Sequence, residues 1–399
     1  MNDSEEKHKI VYIIGSLSSG GAERHLVELM KVLDQSLFVP VIYCMGEKGA
    51  FAEQVESMGI QVKAFHYMSR PAKGYADKGK EALALLRSLR KNLLADRPHI
   101  VHTYLFWSNA FGTIAAKLAG VRLVITSRRS LGLFKDGKPA LQWIENMMNI
   151  FTDVVTTNSQ EVLKDTLSRE KFVEKKVTMI YNGVDIAKFV RVSKPSLLKR
   201  ELHIPGDHIV VTNVANLAEC KGHKEYLEAA AAVLRKTANI TFLLAGRDRG
   251  MYAQLLELTE RLGIGKHVRF LGSRSDVQEI LNITDIQVLC SYEEGFSNAI
   301  IEGMACSLPL IVTDVGGNAE AVIDGHNGLV VPPRDVHALT DALLQLTGSD
   351  VERKSMGRKG RERVEKLFNL NVMESRYKEM YRRLLGHGRL PLERSGSDG

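Results

Sequence analysis

Two glutamates eight residues apart, Glu294 and Glu302, sit in the stretch EEGFSNAIIEGMACSLP that begins at Glu293. The stretch follows an apolar run ending at Cys290. Ser297 or Asn298 is placed to cap a helix carrying Ala299, Ile300, Ile301 and Glu302. A turn running into a helix presents free N–H groups, and the helix dipole favours an anion there. Two carboxylates beside such a site would repel the anion unless they touch neutral hydroxyls, such as those of a sugar and a ribose. Read alone, the pair fits equally a capping glutamate followed by an exposed helix glutamate.

Four further stretches place polar or glycine-bearing loops after apolar runs. Lys221-Gly222 precedes the helical pattern HKEYLEAAAAVL. A lysine there is a point charge able to reach a diphosphate, or an ordinary helix-start lysine. FLLAGRDRG supplies Gly246 and Arg247, FLGSRSDVQEIL supplies Ser273 and Arg274, and TDVGGNAEAV supplies Gly316-Gly317. Ligands of open α/β sheets bind at the carboxyl ends of the strands. Five such loops on one edge are more specific than any member.

The first half carries its own phosphate-type signal. IIGSLSSGGAERHLVEL, Ile13 to Leu29, reads strand, glycine turn, amphipathic helix. Gly15-x4-Gly20 has Walker A spacing, yet Gly21 and Ala22 stand where the lysine and hydroxyl belong. No GxGxxG follows the first strand either, because Leu17 replaces the second glycine, which argues against a dehydrogenase. Arg128 and Arg129 in VITSRRSLG suit an anionic acceptor or a solvated surface pair. His102 in HIVHTY is a further acceptor-site candidate, or a core histidine.

These residues need a frame. Apolar strand runs alternate with amphipathic helices along most of the chain; ALALLRSLRKNLL puts Leu85, Leu86, Leu89 and Leu93 on one face. The alternation predicts an α/β protein of two Rossmann-like, doubly wound parallel-sheet domains facing across a cleft. The domains are expected at 1–187 and 188–371. A helix at 372–386 would pack back on the first domain, with a disordered tail at 387–399. The 399 residues are 44% apolar, too many for a single core.

The net charge of +7 suits an acidic substrate, an anionic membrane surface or merely a solvated exterior, and no nucleic-acid partner is expected. YMSRPAKGYADKGK, Tyr67 to Lys80, is basic with aromatics and fits either anionic lipid headgroups or a mobile loop. No apolar run approaches the length of a membrane span and no leader is visible, so a cytoplasmic protein, peripheral at most at the inner membrane face, is expected. The scattered cysteines 44, 220, 290 and 306 form no ligand cluster and read as reduced thiols.

Taken together, the motifs resemble the retaining glycosyltransferases of family 4 (glycosyl transferases group 1), which have the GT-B fold. The E-x7-E pair matches Glu294 and Glu302. The KG loop matches Lys221-Gly222, GGAE matches Gly20 to Glu23, and NGVD matches Asn182 to Asp185. The resemblance spans nearly the whole chain. It implies transfer of a sugar from a nucleotide-diphosphate-sugar donor to a hydroxyl of a glycan or lipid-linked acceptor, with retained anomeric configuration.

By that likeness Glu302 binds the ribose and Glu294, with Lys221, serves catalysis at the donor sugar. Backbone amides from Phe296 through Ser297 and Asn298 to Ala299 meet the diphosphate and sugar, and Ser273 and Arg274 line the base. Gly20-Gly21 approaches the diphosphate while Lys221 supplies the cation, so the site is expected to be complete only when the domains close.

Two positions depart from the family. Asn216 stands where an arginine is usual, with Arg247 or Arg249 as possible substitutes. Arg128 and Arg129 stand where a histidine is common. No Asp-x-Asp occurs in the chain, so neither a metal nor another cofactor is expected, and the leaving diphosphate falls to Lys221, amides and a helix dipole. A nucleotide-sugar epimerase and a non-catalytic subunit of the same fold are the alternatives. Intact Lys221, Glu294 and Glu302 argue against decay.

Overall fold

Two all-parallel sheets organise the protein, whose computed structural model describes residues 7–18, 20–67, 75–192 and 197–387. The first has seven strands: β1 (His8–Ile14), β2 (Phe38–Cys44), β3 (Gln61–Ala64), β4 (Ile100–Tyr104), β5 (Leu123–Arg128), β6 (Val154–Thr157) and β7 (Val177–Met179). Their order is β3-β2-β1-β4-β5-β6-β7. The second has six: β8 (Ile209–Val214), β9 (Ile240–Ala245), β10 (Val268–Gly272), β11 (Ile286–Leu289), β12 (Leu310–Thr313) and β13 (Gly328–Val331), ordered β10-β9-β8-β11-β12-β13. Both orders reverse direction once, as doubly wound sheets do.

The helices of the first unit include α1 (Gly21–Val32), α2 (Tyr75–Asp96), α3 (Phe106–Leu118) and α4 (Pro139–Phe151); α5 (His223–Leu234) and α6 (Asn298–Ala305) follow strands of the second sheet, and α7 (Leu370–His387) ends the described chain. The period-two pleat explains how they cover the first sheet. Ile10, Tyr12 and Ile14 enter one core with Leu26, Leu29 and Met30 of α1. Val11 and Ile13 enter the opposite core with Leu85, Leu89 and Leu93 of α2. A strand buried on both faces must be apolar throughout, which is why β1 reads as an unbroken run. Each leucine so buried contributes about 1.5–3 kcal/mol. In the second sheet Val211 and Val210 divide between two cores in the same way.

The chain forms two compact units, Met1–Asn182 with Leu370–Gly399, and Gly183–Asn369. The divisions therefore fall after Asn182 and Asn369, against expected boundaries at 187 and 371. Helix α7 belongs to the first unit. Its residues Met373, Tyr377, Met380, Tyr381 and Leu384 are buried there. Tyr12 Oη donates to Tyr381 Oη at 3.2 Å, and His25 Nε2 lies 3.1 Å from Tyr377 Oη. Most of the expected tail lies outside the described residues.

Helix α4 inverts the usual arrangement. Its buried residues are Glu145 and Asn149, one turn apart, while Trp143, Ile150 and Phe151 are exposed. A helix normally buries its apolar stripe.

Candidate active site

All six strands of the second sheet are parallel, so the loops that follow β8 to β12 leave its carboxyl edge together. They are laced to one another. Leu217 N–H donates to Arg247 O at 2.9 Å, and Arg249 N–H returns a bond to Leu217 O at 3.0 Å. Gly246 N–H donates to Gly272 O at 2.9 Å. Asn216 Oδ1 accepts from Arg247 N–H at 3.2 Å, so its side chain braces the neighbouring loop.

Two glycines allow the closest approaches. Gly222 has φ +64°, and a Cβ there would stand 1.9 Å from Cys290 O. Gly316 has φ +52°, and its Cβ would stand 1.9 Å from Glu294 O. Any side chain would clash and would strain the backbone as well. These contacts press the Lys221 and Gly316 loops onto the segment between β11 and α6.

The sequence candidates meet on that segment. Lys221 Nζ donates to Glu294 Oε1 at 2.6 Å, and Ser291 Oγ donates to the same oxygen at 2.7 Å. Side-chain exposure is 23% for Lys221 and 12% for Glu294, so the pair is shielded yet open to exchange. Burial pulls the Lys221 pKa down, but the Glu294 carboxylate outweighs it and the ammonium is held above its ordinary value. Glu302 lies about one turn inside α6 and is 3% exposed. Ser297 is the N-cap of α6 in extended conformation, but its side chain makes no capping bond. Gln287 Nε2 of β11 donates to Ala299 O at 2.8 Å, which ties the first turn of α6 to the sheet and leaves its N–H groups uncapped by Ser297. Phe296 is buried with its ring 5.2 Å from that of Phe368, which leaves its backbone as the part able to meet a ligand.

Arg247, Ser273 and Arg274 are exposed on the neighbouring loops. Arg274 is bonded to Asp276, with Nε to Oδ1 at 2.7 Å. Ser291, the partner of Glu294, went unread in the sequence. Its position directly after a buried strand, three residues before Glu294, is the signal that could have found it.

The first sheet's edge requires three corrections. Arg128 is buried rather than open to an acceptor. Its Nε lies 3.0 Å from Glu145 Oε1, its Nη2 donates to Glu170 Oε2 at 2.9 Å and to Asn149 Oδ1 at 2.9 Å, and its Nη1 donates to Thr126 Oγ1 at 3.0 Å. Lys135 completes the cluster through both Glu145 and Glu170. Burial works against the charge of Glu170, but Arg128 outweighs it and holds that carboxyl below its usual range, whereas burial pushes Glu145 up. The polar inward face of α4 is thus the complement of Arg128.

His102 is fully buried. Its Nδ1 lies 2.8 Å from Tyr381 Oη and its Nε2 2.8 Å from Ser127 Oγ, so both ring nitrogens are engaged. Burial draws its pKa down to about 3, and it is a neutral core residue with no atom for an acceptor.

Arg129 is half-buried and points away from Arg128. Its Nη2 donates to Asn182 Oδ1 at 2.5 Å, and burial lowers its pKa against the opposing pull of Tyr377. The two arginines do not form a paired grip.

Gly20 is the N-cap of α1 with φ −138° and ψ 169°. The Glu23 carboxylate folds back over it, to where a Cβ on Gly20 would be 2.2 Å away. The helix therefore meets its own carboxylate at its positive end. Much of the basic Tyr67–Lys80 stretch lies outside the described residues. Among the described residues no group of three or more His, Cys, Asp or Glu is placed to hold a metal ion. Burial pushes the Cys44, Cys290 and Cys306 thiols up to about 12.

Two Rossmann-like parallel-sheet units, with a lysine–glutamate pair on the carboxyl edge of the second, define a GT-B glycosyltransferase. Residues 19–188 match the family model Glycosyltransferase Family 4 and residues 196–363 match Glycosyl transferases group 1, and the chain belongs to these glycosyltransferases.

The chain is 25% identical to the UDP-Gal:alpha-D-GlcNAc-diphosphoundecaprenol alpha-1,3-galactosyltransferase of Escherichia coli, over 96% of this chain and 98% of that one. It is 26% identical to the N,N'-diacetylbacillosaminyl-diphospho-undecaprenol alpha-1,3-N-acetylgalactosaminyltransferase of Campylobacter jejuni, over 93% and 99%. The crystal structure of HepE from Anabaena in complex with UDP-glucose superposes with a TM-score of 0.82 at 21% identity, covering 94% of this chain and 100% of that one.

Proposed function

We propose that the protein moves a sugar from a nucleoside diphosphate sugar to a hydroxyl of a lipid-linked or polysaccharide acceptor, with retention and without a metal. The observation that carries this reading is the Lys221–Glu294 pair, set beside the start of α6 with Glu302 buried about one turn along. A diphosphate arriving there exchanges with Glu294 for the Lys221 ammonium and gains the α6 amides. Glu294, released, accepts hydrogen bonds from sugar hydroxyls, and Glu302 from the ribose. The anomeric carbon–phosphate oxygen bond breaks, the acceptor oxygen bonds to the same face, and the acceptor proton passes to the leaving phosphate oxygen. Metal independence is inferred from the absence of Asp-x-Asp in the sequence.

The acceptor class is supported by relatives whose names specify diphosphoundecaprenol-linked substrates, and the donor class by the fold neighbour that holds UDP-glucose. The test is a transfer assay with UDP-sugars and an undecaprenyl-diphosphate-linked acceptor in excess EDTA, with the product's anomeric configuration read by NMR. Retained configuration at undiminished rate is expected. Loss of turnover on chelation, restored by magnesium or manganese, would overturn metal independence. Donor isomerised without any acceptor would make the protein an epimerase.

A further inference from the structure

Arg334 is a backbone outlier on the carboxyl edge of the second sheet. It follows β13 and Pro332-Pro333, and its φ is +63°, the left-handed region that an arginine enters only with strain. The turn is fixed on its far side, where Asp335 Oδ1 accepts from Ala338 N–H at 2.9 Å and caps the helix over Val336–Gly348. A glycine would take that φ freely, so the turn itself does not call for an arginine. What the arginine adds is its guanidinium, whose Cζ stands 4.4 Å from the centroid of the Tyr292 ring.

Tyr292 is anchored in two further ways. Its hydroxyl donates to Glu225 of α5, with both carboxylate oxygens at 2.5 Å. Its N–H donates to Cys220 O at 2.8 Å. That bond joins the residue before Lys221 to the residue two before Glu294. Cys290 Sγ, donating to Gly222 O at 2.9 Å, ties the same two loops a second time.

We infer that Arg334 and Tyr292 are positioning residues for the Lys221–Glu294 pair. The guanidinium clamps the tyrosine ring from one face while Glu225 holds its hydroxyl. The clamped tyrosine keeps the two loops in register through its own backbone. The strained conformation at 334 persists because the side chain it carries completes the clamp.

The inference rests on the role proposed for Lys221 and Glu294, so one arm of its test needs no turnover. In hydrogen exchange of the unliganded protein, Arg334→Gly should speed exchange at the Tyr292 amide by roughly two- to tenfold, the effect of one lost cation–π contact. Melting should stay level or rise, because glycine relieves the left-handed strain. In the transfer assay kcat and donor kcat/KM should fall together by roughly tenfold, as for a misplacement felt only in the transition state. Arg334→Lys should recover part of both losses by returning a cation to the ring face.

Unchanged exchange at Tyr292 would overturn the clamp whatever the activity. Faster exchange with turnover intact would overturn the positioning role. So would a donor KM that rises while kcat holds, since Arg334 would then be touching the donor itself. A fall in melting that matches the lost activity would reduce Arg334 to a stability contact. Faster exchange in Arg334→Gly, with no sugar transferred even by the unaltered protein, would leave the clamp supported and defeat the transfer reading.

Discussion

Both sheets end in a cation held by carboxylates, and the two arrangements do opposite work. At the end of β5, Arg128 is enclosed with Lys135, Glu145 and Glu170, all four side chains 8% exposed or less. At the end of β8, Lys221 meets Glu294 with both groups in partial contact with solvent. Burial decides the difference. An enclosed ion cluster cannot exchange partners without stranding a charge, so it is scaffold. A partly exposed pair holds its cation in place and can still exchange its partner. Residue type alone would have ranked Arg128 and Lys221 together.

The largest effect expected from this contrast is on stability. Arg128→Ala leaves Glu145 and Glu170 sharing one lysine in a buried site and should cost about 3–5 kcal/mol in urea unfolding. Acceptor KM of the folded fraction should be unchanged. A stable variant with a raised acceptor KM would return Arg128 to the acceptor site and erase the contrast.

Lys221→Ala should do the reverse, lowering turnover by roughly 10²–10³, the usual loss for one charge-stabilising donor. Its stability should move by less than about 1 kcal/mol, since the pair is partly solvated. Steady-state kinetics and thermal melting of one preparation measure both. A large drop in melting temperature with turnover intact would make this pair scaffold too.

The two glutamates sharpen the second edge. Glu302→Gln should weaken binding of a bare nucleoside diphosphate by about 1.5–3 kcal/mol through loss of a charge-assisted hydrogen bond. Glu294→Gln should harm turnover more than that binding. Calorimetry that found equal losses for the two variants would mean their roles are misassigned.

The smallest effect is a slope with pH. His102 has a pKa of about 3 in the fold against 6.5 when free. An imidazole buried neutral contributes stability that is fully present above pH about 6.5. It is lost as pH falls from there toward 3, at about 1.4 kcal/mol per pH unit. His102→Gln should remove that increment from the pH dependence of urea stability between pH 7 and 5. Parallel curves for the two proteins would show that His102 is not buried neutral.

The alternation of apolar runs and amphipathic helices was enough to read two parallel sheets, because strands buried on both faces and helices buried on one have different periods. The strand-end loops followed, since every loop after a parallel strand leaves at the same edge. Hence Lys221, Glu294 and Glu302 were legible as a group before any contact was known.

What those side chains touch was not. Arg128 and Arg129 are adjacent in sequence, yet one is enclosed and the other reaches Asn182, because successive residues at a strand end point to opposite faces. The acids that claim Arg128 come from α4 and from Glu170, 17 and 42 residues downstream. No local pattern reports a pairing of that separation. The inward glutamate and outward tryptophan of α4 likewise contradict the periodic rule until the buried guanidinium is seen. Sequence determined the sheets, their edges and the residues offered there; tertiary packing alone decided which charges were sealed and which stayed exchangeable, because burial is a property of what arrives from elsewhere in the chain.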